Sequence, residues 1–359
     1  MGILNHLAAQ LALIRKISIR NHQTTMSRRI HARRTEGVDK NVWVEFTQLA
    51  AEYKAVNLGQ GFPDFSPPQF ITEAFCKAVS GGPPMHQYTR AFGHPALVQS
   101  LAKFFSRIVG HDIDPFEDIL VTVGAYQALF CAFQALIDEG DEVIIVEPFF
   151  DCYQPMVVMA GGKAVYVPLR PKEGTAVLSS GDWVLSAEEL ASKITPHTKA
   201  IVINTPNNPL GKVYKREELQ MIADLCIKHD LLCFSDEVYE WLTYDGAKHV
   251  KIASLPGMWE RTVTIGSGGK TFSATGWKVG WAMGSGHILK YMKTIHQNSI
   301  YHCATAAQGL ATIPVSAFYS PEHSKEFDKY IRFCFVKENS TLDAAEEILK
   351  KWSQNESSH

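Results

Sequence analysis

From residue 119 onward, short β-branched runs alternate with segments whose apolar residues recur at helical spacing. This alternation is typical of an α/β domain with a mostly parallel sheet. A capping-box pattern, S-A-E-E at 186–189, predicts the start of a further helix. The predicted strands are 119–123, 142–147, 199–204, 231–235 and 262–265, and the predicted helices include 125–138 and 215–229.

Small and polar residues follow directly on these strands. Ligands of open α/β sheets bind at the carboxyl ends of the strands, so we expect these residues to meet at one edge of the sheet. They are Gly124, Asn204, Asn208, Asp236, Tyr239, Ser267 and Lys270.

Composition narrows the function classes. The 359 residues are 46% hydrophobic and 20% charged, which is ordinary for a globular protein. A formal net charge of −2 and the lack of a long apolar run predict neither nucleic-acid binding nor a membrane span. The seven cysteines have no C-x-x-C spacing and the histidines no H-E-x-x-H spacing, so we expect no zinc site, other metal site or disulfide framework.

The first 35 residues form a basic leader without Asp or Glu. This composition is typical of a mitochondrial transit segment. A disordered basic tail, or an extension upstream of a start at Met26, is the alternative. The basic residues are Arg15, Lys16, Arg20, Arg28, Arg29, Arg33 and Arg34.

Lys270, in G-S-G-G-K-T-F-S-A-T-G-W, has two interpretations: a phosphate-binding P-loop lysine or a nucleophile. A P-loop needs a glycine five positions before Gly269, where this chain has Thr264. Gly276 and Gly280 also interrupt the segment that would have to form the following helix. We therefore favour the nucleophile, with room for a cofactor beside the small residues that precede Lys270.

The strand-end residues match the needs of pyridoxal phosphate: a lysine for the aldehyde, an acid for the ring nitrogen and donors for the phosphate. Asp236 follows an apolar run, where a carboxylate needs a cation. Tyr239 and Asn208 can donate to the ring oxygen. By themselves, Asp236 and Tyr239 also fit a strand end with a helix cap, and Asn208 fits a plain turn.

The phosphate has candidate donors as well. The amides of Ala125 and Tyr126 open a predicted helix, whose N-terminus attracts anions. Ser267 and Lys278 complete the set, although Lys278 alone also fits an exposed charge.

Seven stretches, in the same order, resemble the kynurenine aminotransferases of the fold type I pyridoxal-phosphate family, which also act as cysteine-S-conjugate β-lyases. The tail, I-R-F-C-F-V-K with S-T-L-D-A-A-E-E-I, is most similar to the third, mitochondrial member. The seven stretches are N-L-G-Q-G-F-P-D-F, Q-Y-T-R-A-F-G, V-T-V-G-A-Y, E-P-F-F-D-C-Y, N-T-P-N-N-P-L-G-K-V, D-E-V-Y-E-W and G-K-T-F-S-A-T-G-W-K-V-G-W.

The resemblance implies transfer of the amino group of kynurenine, or of related aromatic or glutamine donors, to a 2-oxo acid. It implies that Lys270 is catalytic and that Phe150 stacks on the cofactor ring. Arg332 binds the substrate carboxylate with help from Gly61 and Asn208. Trp43 lines the substrate pocket, and Tyr88 reaches in from the partner subunit of a homodimer.

The implied fold is a large α/β domain with a mixed, mostly parallel sheet and a smaller α+β domain. We expect a leader at 1–35, an arm with part of the small domain at 36–75, the large cofactor-binding domain at 76–295 and a truncated small domain at 296–359.

Two features depart from the family pattern. After Y-H-C-A-T-A-A-Q the chain continues at once into G-L-A-T-I-P-V-S, so on the order of 100 residues, a small domain's worth, are missing after about Leu310. Gly268 stands where the family usually has alanine. An aminotransferase impaired by the gap is the first hypothesis. The alternatives are a catalytically deficient short form that binds the cofactor or pairs with a full-length enzyme, and an error of transcript or gene assembly.

Overall fold

The computed structural model describes residues 29–38, 42–172, 174, 179–309, 340, 343–344 and 346–347. The chain divides into two units, residues 1–39 and 40–359. The first contains a single 3-10 turn, Arg33–Thr35, among its described residues. The sheet and the helices described below belong to the second.

Seven strands form one mixed sheet in the order β1-β9-β8-β7-β6-β2-β3. β9 is antiparallel to both of its neighbours, and the other neighbouring pairs are parallel. Two short strands, β4 and β5, pair separately. The strands are β1 Ile119–Val123, β2 Glu142–Glu147, β3 Lys163–Pro168, β4 Arg170–Pro171, β5 Trp183–Val184, β6 Thr198–Asn204, β7 Leu232–Asp236, β8 Thr262–Ser267 and β9 Val279–Met283.

Helices flank the sheet. They are α1 Val42–Glu52, α2 Gln69–Val79, α3 Pro95–Val109, α4 Gly124–Leu136, α5 Tyr153–Met159, α6 Ala187–Ser192, α7 Arg216–Lys228, α8 Gly268–Thr271, α9 Gly286–Ser299 and α10 Thr305–Gln308. No helix among the residues described is both long and apolar enough to cross a membrane.

Both faces of the sheet are buried. Successive strand residues point to opposite sides of the sheet, so neighbouring residues of one strand pack into different clusters. In β2, Val143 packs into the cluster that contains α4 and α5, and Ile144 packs into the cluster that contains α7. A third cluster joins α3 to β1 and β9. Strands buried on both faces read as continuous apolar runs, which is why the sequence predicts them well.

The predicted α/β fold with its mostly parallel sheet is confirmed, and predicted strands 119–123 and 142–147 have the observed bounds. Ser186 caps α6, as its capping-box pattern predicts, by accepting a hydrogen bond from the Glu189 amide.

Strand β9 was not predicted, because Gly280 resembles a strand breaker. The structure gives the reason for this glycine: a Cβ at position 280 would lie 2.4 Å from the amide nitrogen of Ala125 and from the carbonyl carbon of Gly124. Only glycine lets β9 approach the start of α4 this closely.

The adjacent glycines of α8 provide a stability test. A Cβ on Gly268 would make ordinary contacts, the nearest at 3.4 Å, whereas one on Gly269 would lie 3.0 Å from the Thr275 Cα. We expect Gly268→Ala to raise the free energy of unfolding by about 0.4–1 kcal/mol, because it restricts the unfolded chain. We expect Gly269→Ala to lower it by roughly 1–3 kcal/mol through overpacking against backbone. Urea unfolding of the two variants measures the difference, and equal effects would contradict the packing described.

Candidate active site

A cavity of about 710 Å³ opens at the carboxyl ends of β1, β6, β7 and β8. Parallel strands bring their carboxyl ends to one edge, so residues far apart in sequence converge there. The predicted site residues that line it are Trp43, Gly61, Ala125, Tyr126, Phe150, Asn208, Asp236, Tyr239, Ser267, Lys270 and Lys278.

Two predicted residues are not among those that line the cavity. The Tyr88 side chain is 80% exposed, and its ring meets those of Tyr301 and His302 edge-on. Arg332 lies outside the described residues, so its predicted contact with a substrate carboxylate stays a prediction.

The short helix α8 and the backbone at Gly61 hold Lys270 at the cavity. Ser267 caps α8 by accepting a hydrogen bond from the Lys270 amide at 3.2 Å. The Lys270 Nζ donates to the Gly61 carbonyl oxygen at 2.6 Å and lies 5.4 Å from the centre of the Tyr239 ring. Residues 58–62, which include Gly61, therefore line the cavity beside the amine.

Asp236 ends β7 with only 3% of its surface exposed. Its Oδ2 accepts a hydrogen bond from the Tyr153 hydroxyl at 2.6 Å, and its Oδ1 accepts from the Val238 amide at 3.3 Å. Burial raises the pKa of Asp236 to about 6, and the two hydrogen bonds only partly oppose this. A buried carboxylate of this kind is stabilised by a cation in the cavity.

Asn204 connects the loop of Asn208 to β7. The Asn204 side chain donates to the backbone oxygen of Asp236 at 3.0 Å, and its Oδ1 accepts from the Asn208 amide at 2.6 Å. Asn204 and Asp236 are also register partners in the paired strands. One buried amide thus fixes two predicted cofactor ligands relative to each other.

The start of α4 has the properties of an anion site. Gly124 has a φ of +73°, and a Cβ there would lie 3.2 Å from the Lys278 Nζ, so the ammonium group lies against this glycine. Ala125, Tyr126 and Ser267 also line the cavity. Helix amides, a hydroxyl and an ammonium group together suit a phosphate.

Aromatic side chains form another wall. Tyr126 and Phe150 meet edge-on, with their ring centres 6.4 Å apart. The Trp43 Nε1 donates to the Asp151 carboxylate at 2.6 Å, which joins α1 to the loop that carries Phe150. A flat ring placed in the cavity has aromatic surface to contact.

A buried charge cluster includes Glu237, the residue that follows Asp236 in the chain. The Lys251 Nζ contacts the carboxylates of Glu237 at 2.7 Å and Glu240 at 2.5 Å, and the His249 Nε2 lies 2.8 Å from Glu237. Although burial opposes ionisation, Lys251 and His249 lower the pKa of Glu237 to about 2. The Lys251 cation is therefore shared by its two glutamates rather than by Asp236.

Sequence reasoning assigned no role to Tyr153, although it ends the quoted stretch E-P-F-F-D-C-Y. It follows Phe150 by three residues, the spacing at which side chains share one face of a helical turn. That spacing indicates that Tyr153 lies on the same side as Phe150 and therefore near the cavity. Its partner Asp236 is 83 residues away in the chain, so no local pattern reveals the hydrogen bond.

The raised pKa of Asp236 predicts a pH-dependent stability of the cofactor-free protein. The folded state binds this proton more tightly than the unfolded state, whose ordinary aspartate pKa is 3.8. The stabilisation is present below pH 3.8 and is lost as the pH rises through about 6. Asp236→Asn removes the effect, so the variant should gain up to about 3 kcal/mol relative to the parent protein between pH 4 and pH 8.

Denaturant unfolding at several pH values measures this gain. Asp112→Asn, at an exposed position, is the matched control and should show no comparable gain. A constant difference between Asp236→Asn and the parent across this pH range would contradict the buried-carboxylate account.

Comparison with known proteins identifies the family. The family model for aminotransferase class I and II matches residues 53–332. Kynurenine–oxoglutarate transaminase 1 of Mus musculus is 49% identical over 91% of this chain and 99% of its own length. Kynurenine–oxoglutarate transaminase 3 of Homo sapiens is 46% identical over 91% of both chains. The resemblance to both members is therefore nearly equal.

A solved structure supports the fold. N-succinyldiaminopimelate aminotransferase from Mycobacterium tuberculosis is 38% identical, with a TM-score of 0.75 over 80% of this chain and 73% of that chain. The alignment with the mouse transaminase spans 418 positions, more than the 359 residues of this chain. The relative therefore contains residues without a counterpart here, as the expected internal gap requires. The family model and the relatives together show that the chain belongs to the class I and II aminotransferases, alongside the kynurenine–oxoglutarate transaminases.

Proposed function

We propose that this chain is a pyridoxal-phosphate-dependent aminotransferase that moves the amino group of kynurenine, or of a related aromatic or glutamine donor, to a 2-oxo acid. The observation that carries the proposal is the convergence of Lys270, Asp236 and the anion site at the start of α4 on one cavity. The names of the matched transaminases support kynurenine as donor.

The residues of the cavity fit the proposed cofactor. Burial raises the pKa of the Asp236 carboxyl, and a protonated ring nitrogen would be a cationic partner that favours its ionised form. The Lys278 ammonium beside Gly124 and the amides of α4 suit the phosphate. When bound, pyridoxal phosphate supplies a ring that withdraws electrons from the substrate's Cα.

Each side chain then has a definite task. Lys270 would bind the aldehyde of the cofactor, and its Nζ would act as the general base that takes up the proton of the substrate Cα. Tyr239 and Asn208 hold the ring oxygen, and Phe150 covers the ring. The Gly61 carbonyl, 2.6 Å from the Lys270 Nζ, keeps the amine at the cavity.

Substrate recognition is proposed in the same cavity. Trp43 contacts the side chain of an aromatic donor, while Gly61 and Asn208 lie beside its carboxylate. Arg332 is proposed as the partner of that carboxylate because its planar fork matches it. Cysteine-S-conjugate β-elimination is the proposed side activity, since it begins with removal of the same Cα proton.

We also propose that the chain forms a homodimer and that it is imported into mitochondria. Tyr88 supports the dimer, because it is 80% exposed and is not among the residues that line the cavity of its own chain. The basic residues of positions 1–35 support the mitochondrial destination over the cytoplasmic alternative. The comparisons give no support to the catalytically deficient short form.

Absorption spectroscopy and turnover test the proposal together. Purified protein with pyridoxal phosphate should be yellow, and Lys270→Ala should lose the visible band because the covalent attachment is gone. Turnover of kynurenine with 2-oxoglutarate should fall at least about 100-fold in this variant, the scale of a lost general base.

Lys290→Ala is the matched control, since Lys290 is exposed and outside the cavity lining, and it should keep both band and turnover. Absence of the band in the parent protein would overturn the cofactor assignment. A band without 2-oxo-acid-dependent turnover of kynurenine or glutamine would overturn the enzyme assignment and leave the deficient short form.

A further inference from the structure

Tyr153 lies behind the aromatic wall of the cavity and contacts Asp236. It begins α5, is 1% exposed and packs in the core cluster that includes α4. Its ring meets that of Phe150 edge-on, with 6.0 Å between the ring centres. Tyr153 is not among the residues that line the cavity, so any effect on a bound ligand acts through its neighbours.

The hydrogen bond between Tyr153 and Asp236 has a fixed direction. At 2.6 Å the phenol donates to Oδ2, and burial followed by the nearby Asp236 charge raises the pKa of Tyr153 well above 10. The phenol therefore stays protonated and acts as a donor. An ionised carboxylate accepts such a bond more strongly than a neutral carboxyl does, so the bond favours the ionised form of Asp236.

The two oxygens of Asp236 have different surroundings. Oδ2 is occupied by Tyr153, whereas Oδ1 has only the longer 3.3 Å bond from the Val238 amide. Because Asp236 lines the cavity, Oδ1 is the oxygen left to meet a cation there. Tyr153 thus fixes the rotation of the carboxylate as well as its charge.

The other charged and titratable groups near Asp236 favour its ionised form less than Tyr153 does. The adjacent Glu237 disfavours the Asp236 charge, and Lys270 favours it less than the hydrogen bond of Tyr153 does. The Cys152 thiol is a neutral group whose ionisation the nearby Asp236 charge opposes. The hydrogen bond of Tyr153 is the strongest of the influences that favour ionisation of Asp236.

We propose that Tyr153 is a positioning residue that keeps Asp236 ionised and directs its Oδ1 toward the cavity, where the ring nitrogen of pyridoxal phosphate would bind. The cofactor part rests on the proposed function. The effect on the carboxylate is a property of this chain without any ligand, and it can be measured separately.

Tyr153→Phe removes the hydroxyl and keeps the ring. In the full chain without cofactor, with aspartate carboxyls labelled with 13C, the titration midpoint of Asp236 should rise by about 1–2 pH units, the scale of a lost hydrogen bond to a charged group. Asp236→Asn identifies the signal by its disappearance. Tyr214→Phe, which removes a hydroxyl from another tyrosine of 1% exposure, is the matched control and should leave the midpoint unchanged.

A second variant keeps the proposal testable if Tyr153→Phe does not fold. Site-specific 3-fluorotyrosine at position 153 retains the donor and makes it more acidic, so the Asp236 midpoint should fall. An unchanged midpoint in a folded Tyr153 variant would overturn the proposal, because a purely structural tyrosine would not move it.

Cofactor affinity is the second measurement. Titration with pyridoxal phosphate should give a Kd about tenfold higher or more for Tyr153→Phe, but not for Tyr214→Phe. A shifted midpoint with no change in Kd would overturn the positioning role. A parent protein that binds no pyridoxal phosphate, yet shows the shifted midpoint, would instead overturn the proposed function and leave the effect of Tyr153 on Asp236 standing.

Discussion

A carboxylate buried at the end of a central strand is the constraint on which this site depends. Asp236 occupies the position where β7 leaves the sheet, almost without access to water. A charge there is unfavourable unless hydrogen bonds and a cation compensate for it. Tyr153 supplies the principal bond, Asn204 fixes the strand end, and Lys251 is already shared by Glu237 and Glu240. A cation within the cavity would complete this compensation, and a protonated pyridine ring is the cation that we propose.

Close backbone packing brings together the residues of the candidate anion site. β9 runs antiparallel between β1 and β8, and Gly280 allows it to touch the first residues of α4. Lys278, just before β9, thereby reaches Gly124. The cavity consequently has a negative group at its base and donors at the helix start, with Lys270 and Tyr239 also in its wall. This polarity matches a ligand with a basic ring and a phosphate.

Much of this arrangement could be predicted from the sequence, because parallel strands buried on both faces are apolar runs with polar residues at their ends. Asp236, Lys270 and Asn208 were found in this way. Tyr153 was missed, because its contact with Asp236 joins positions 83 residues apart in the chain. β9 was missed, because its glycine, Gly280, is required by close contact with the start of α4 and not by the strand itself. Local patterns predict elements and strand ends; contacts between distant elements require the folded chain.

The residues proposed to hold the cofactor all precede the expected gap after about Leu310, so the account predicts that the shortened chain still binds pyridoxal phosphate covalently. Borohydride reduction of the cofactor-treated protein, followed by mass spectrometry of its peptides, tests this claim most directly. We expect one reduced adduct per chain, located on Lys270. No adduct on Lys270, or adducts spread over exposed lysines such as Lys290, would contradict the account.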